Sequence, residues 1–133
     1  MRHIAVLLTL TAGLLALGPA PALAQSAASA SSAAPAGADG VLLQKALEAN
    51  AQGNCPADLM AADLRTACLQ QIVDIQPMLS AKGKITRLEF LGTQTYPAGQ
   101  IETWLVVYEH GAQLWTISVG PDGKIANMFS KDD

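Results

Sequence analysis

At Gly83 the apolar pattern of this chain changes period, from steps of three and four to steps of two. A helix repeats its faces every 3.6 residues and a strand every two, so the switch predicts helices first and a sheet after them. Upstream, Leu64, Cys68, Ile72, Ile75 and Leu79 form one stripe, with Arg65 and Gln70 outside it. Val41 to Ala51 reads as a shorter helix with Leu43, Ala46 and Leu47 on one face, Asp39 as its cap and Gly53 as its stop. Pro77 has no N–H for Val73 and disfavours helix at Gln76, which predicts a break there. One last turn would then run from Pro77 to a stop at Gly83.

Downstream, Ile85–Thr95, Ile101–Glu109, Leu114–Gly120 and Ile125–Phe129 read as strands. Tyr96-Pro97-Ala98-Gly99, His110-Gly111 and Pro121-Asp122-Gly123 supply the turns, so the strands follow one another as a meander. A His110-Gly111 loop sets Tyr108 opposite Gln113, Val106 opposite Trp115 and Trp104 opposite Ile117. Trp104, Val106 and Tyr108 then share a face with Trp115, Ile117 and Val119, and the third hairpin adds Ile125, Asn127 and Phe129. That face is apolar and aromatic, and the helices must cover it. The expected fold class is α+β: N-terminal helices packed on a curled four-stranded antiparallel meander sheet.

Cys55 and Cys68 are the only two cysteines. In an exported chain they have one possible pairing. A continuous helix between them would hold the sulfurs nearly 20 Å apart, at about 1.5 Å per residue, whereas bridged Cα atoms lie within about 7 Å. The chain must therefore turn back between them, most simply over Pro56–Ala62, with Asp58 or Asp63 capping the next helix. Metal binding is a poor rival, because His110 would be the sole histidine left after a leader is removed.

Export is expected from the other end of the chain. Arg2, the uncharged apolar run Ile4–Leu17, the breakers Gly18, Pro19 and Pro21, and Ala22-Leu23-Ala24 have the order of a cleavable signal peptide over residues 1–24. Cleavage would fall between Ala24 and Gln25. Residues 25–40 are rich in Ala and Ser and read as a flexible tether. Residues 41–131 are left for a single α+β domain. The formal charge of −3 gives no electrostatic reason to bind nucleic acid or an anionic membrane. A periplasmic or secreted location is expected.

GKITRLEFLG, WLVVYEHGAQLWTISVGPDGKI and the Pro-containing helix end before GKI resemble those of small bacterial exported domains of the cystatin-like and nuclear-transport-factor-like α+β superfamily. The resemblance covers about Gln70 to Phe129. It implies a space between helix and sheet, used by related families as an enzyme pocket, a ligand cavity or an interaction surface. Fold alone does not choose among these.

The side chains offer little catalytic chemistry. Glu89 and Glu109 fall on the outward strand parity, while Glu102 shares a parity with Trp104 and reads as a solvated carboxylate near a sheet edge. Trp104, Tyr108, Trp115 and Asn127 are the candidate lining of a ligand pocket, although the tryptophans are needed as core in any case. These residues point to an exported, non-catalytic binding or interaction module with an aromatic-lined sheet face. Its partner would be an unknown protein or a small apolar ligand, with no cofactor and no metal. The alternatives are a small nuclear-transport-factor-like enzyme using Glu102 and Tyr108, or an inhibitor of a secreted enzyme.

Overall fold

The computed structural model describes residues 36–131. The expected signal peptide, its cleavage site and most of the expected tether lie outside the described residues. Two helices, α1 (Gly40–Ala51) and α2 (Ala62–Lys82), precede four strands: β1 (Ile85–Tyr96), β2 (Gly99–Tyr108), β3 (Gly111–Val119) and β4 (Ile125–Lys131). The strands form one antiparallel sheet in the order β1-β2-β3-β4, not closed into a barrel, and Met60 bridges Ile125 at the outer edge of β4. This is the expected α+β layout.

The helices cover one face of the sheet. Leu43, Ala46 and Leu47 of α1 and Cys68 and Leu79 of α2 meet Trp104, Val106, Tyr108, Trp115, Ile117 and Ile125 in a single core. Leu64, Ile72 and Ile75 complete the α2 stripe at its margin. Among the described residues no helix covers the opposite face, where Leu105, Val107 and Leu114 are half-buried and Phe129 is exposed.

The Cys55–Cys68 disulfide is present, with Cα atoms 6.0 Å apart. It fastens the α1–α2 connection to the first turns of α2. Arg65 Nε donates to Cys55 O at 3.1 Å beside it. Asn50 is fully buried against the bridge, and a disulfide sulfur has no proton to give it. With its amide nitrogen turned to the backbone, Asn50 donates to Asn54 O at 2.9 Å and Ala46 O at 3.3 Å.

Several local expectations are corrected. Pro77 does not break α2, which runs unbroken to Lys82. Val73 and Pro77 both face solvent, so the carbonyl that loses its helical partner lies where water can reach it. Asp39 stands at the N-cap of α1 without a side-chain cap bond, and Ala61, neither Asp58 nor Asp63, is the N-cap of α2. Packing also begins ahead of Val41, as Gly40 is buried in the first turn of α1.

The central hairpin turns one residue earlier than expected, at Glu109-His110, so Gly111 pairs with Tyr108. Trp104 therefore lies directly opposite Trp115, and Val106 opposite Gln113. The register moves by two, an even step, so each side chain keeps its face. At the third hairpin the face does change. An irregularity between Ser118 and Val119 puts Ile125 opposite Val119 but Asn127 opposite Ser118 and Phe129 opposite Thr116. Ile125 and Met128 pack on the core, while Asn127 and Phe129 belong to the uncovered face.

Candidate functional site

Glu102 is the largest departure from expectation. It is only 2% exposed, on the covered face. Gly37 N–H donates to its Oε1 at 2.7 Å, and Asp39 N–H and Trp104 Nε1 donate to Oε2 at 3.2 and 3.0 Å. These donors replace the hydration a buried carboxylate loses. Burial, and secondarily the charge of Glu102, raise the pKa of Asp39. The segment ahead of α1 is thus pinned across the sheet. Gly37 sits on the Phe90 ring and Gly40 on Trp104, whose own rings are 5.2 Å apart. A Cβ on Gly40 would stand 2.6 Å from the Trp104 ring, so this crossing has room for hydrogen alone. Glu102 is an anchor for the chain, with its acceptors in use.

A separate concavity lies where the C-terminal ends of α1 and α2 meet the first residues of β1 and the last of β2. It is a cleft of about 540 Å³. Leu47, Leu79, Ile85 and Tyr108 make its apolar wall, and Glu48, Gln52, Ser80, Lys84 and Glu109 bring polar groups to it. Ser80 Oγ donates to Ala51 O at 3.0 Å and ties the two helix ends together.

Glu109 is held by its neighbours. Its Oε2 accepts the Lys84 N–H at 3.1 Å. Gly83, at φ +78°, lies so close that a Cβ there would stand 2.5 Å from the same oxygen. The residue that stops α2 therefore also makes room for a carboxylate. On the Tyr108 side, the Lys82 ammonium stands 5.9 Å from the ring centroid. The Tyr108 hydroxyl accepts the Trp115 Nε1 hydrogen at 3.2 Å, and burial pushes its pKa up to about 12 despite that bond.

The four pocket candidates do not converge. Tyr108 lines the cleft. Trp104 borders a hollow of about 260 Å³ beside the start of α1, and Trp115 a hollow of about 90 Å³ under α2. Asn127 is on the uncovered face, where its Nδ2 donates to Ser118 Oγ at 3.1 Å. Glu48, Lys84 and Glu109 were not among the candidates. Only the earlier turn takes Glu109 off the strand, and strand parity alone hides it.

Among the described residues no group of three or more His, Cys, Asp or Glu side chains could hold a metal ion, and no helix is long and apolar enough to cross a membrane. The fold and the cleft together define a disulfide-fastened α+β domain with an open groove between its helix ends and its sheet. No family model, curated protein or solved structure matches this chain.

Proposed function

We propose that this is an exported, non-catalytic binding module that takes a small amphipathic ligand in the cleft between the helix ends and the first two strands. The observation that carries the reading is the cleft itself, about 540 Å³ with an apolar wall and polar groups around it. The disulfide supports a location in an oxidising compartment, as does the leader-like start of the sequence. The order of helices before a meander supports kinship with cystatin-like and nuclear-transport-factor-like domains. An enzyme built on Glu102 is the weaker reading, because that carboxylate already accepts three N–H groups and holds the chain ahead of α1.

Chemical-shift mapping with octyl glucoside, an uncharged amphiphile, tests this below its micellar concentration. Saturable shifts at Leu47, Leu79, Ile85 and Tyr108 are expected, and they should vanish in a Leu79→Trp variant that keeps its fold. Absence of saturation, or shifts centred on Phe129 and the uncovered face, would sink the proposal.

A further inference from the structure

We propose that the cleft selects ligands bearing a cationic group, an alkylammonium being the simplest class. This rests on the binding reading above and adds the headgroup to it.

Three observations carry the inference. First, an ammonium is already drawn to the cleft's aromatic wall: Lys82 Nζ stands 5.9 Å from the centroid of Tyr108. A ring face attracts cations through its quadrupole, most effectively where water is thinned, and Tyr108 is 5% exposed. Second, the lining carries Glu48 and Glu109 beside Lys84, and Lys82 over the Tyr108 ring makes the two signs equal until a ligand displaces it. The Glu109 carboxylate is not free to swing away, being held by the Lys84 N–H and seated against Gly83. Its Oε2 takes that bond, which leaves Oε1 to meet a ligand. Third, α1 and α2 both end here, with Ala51, Gln52, Ser80 and Gly83 in the lining. Helix C-termini present the negative ends of their dipoles, so two of them add to the carboxylates.

The alkyl part of such a ligand has its own place. Ile85, half-buried, lies in the same lining with the edges of Leu47 and Leu79 behind it. A headgroup between Tyr108 and Glu109 would lay its tail along them. In the free protein Lys82 occupies the ring face, and a ligand cation would displace it into water at little cost because the side chain is long and flexible.

Three amphiphiles with one tail separate the alternatives: dodecyltrimethylammonium, dodecyl maltoside and dodecyl sulfate, each titrated by calorimetry below its micellar concentration, with circular dichroism to show that the fold persists. The cationic probe should bind about tenfold more tightly than the sulfate, the scale of one desolvated cation–aromatic contact. Glu109→Gln, a change at an exposed position, should shrink that preference, and Lys82→Ala should enlarge it by removing the internal competitor. Equal affinities, or tighter binding of the sulfate, would overturn the charge selectivity while leaving the cleft as a binding site. Binding of none of the three would remove the cleft reading as well.

Discussion

A carboxylate with 2% exposure must be explained by its partners, and Glu102 has three donors from two parts of the chain. Glu102→Gln keeps the volume but turns an amide N–H₂ toward groups that are themselves donors. It should cost about 1–3 kcal/mol, the usual penalty for leaving buried donors unmatched. Equilibrium denaturation measures this, and an unchanged midpoint would show that these bonds do not hold the segment. Gly40→Ala sets two effects against each other. Alanine gains up to about 1 kcal/mol of helix propensity, but its Cβ would sit 2.6 Å from Trp104. Overpacking of that kind costs about 1–3 kcal/mol, so the clash should win and the variant should melt lower. Asp39 acts in the opposite sense. Burial and the neighbouring Glu102 raise its pKa in the fold, so its contribution is fully present below the unfolded pKa and is lost as pH rises through the folded one. Asp39→Asn should therefore melt higher than the parent at neutral pH and equal to it in strong acid. A gain that persisted in acid would argue against this electrostatic origin.

At the scale of elements, α2 carries the plainest test. Its interior proline forfeits one backbone bond at an exposed stretch, so Pro77→Ala should stabilise the protein by about 1–3 kcal/mol. A lower melting temperature would mean that Pro77 contributes packing or chain stiffness worth more than the bond. Elements were far more legible in the sequence than their junctions. Every helix and strand followed from a period, because burial of one face imposes that period on any sequence. The cysteine argument found the turn between the helices because a bridge leaves no other geometry. What the pattern could not carry was the count of residues inside each turn. Glu109-His110 and His110-Gly111 are both acceptable two-residue loops, and the choice between them moves Glu109 from a strand to the cleft. The irregularity at Ser118/Val119 likewise reverses Asn127 and Phe129 with no mark in composition. Site residues cluster at such junctions, and this is why the fold was readable while the cleft was not.

Across the whole molecule, Tyr108 joins the two regions that matter, since one side of it lines the cleft and its hydroxyl meets Trp115 in the core. That position makes its ionisation a report on both. Burial favours the neutral phenol and raises its pKa from 10.0 to about 12, more than the Trp115 bond lowers it. The stability this group contributes is therefore complete below about 10 and is lost as pH rises toward 12. Ultraviolet difference absorbance, compared between the parent and a Tyr108→Phe variant, isolates the Tyr108 step. Tyr108 should ionise late, together with a fall in melting temperature and a change in tryptophan emission as Trp115 loses its partner. In a Tyr108→Phe variant the late absorbance step should disappear, and the alkaline loss of stability should be smaller. If the step that the Tyr108→Phe variant loses lay at the ordinary phenol value of 10.0, the ring would be in water. Neither the packed junction of helix ends and sheet nor the aromatic wall of the cleft would then stand as described.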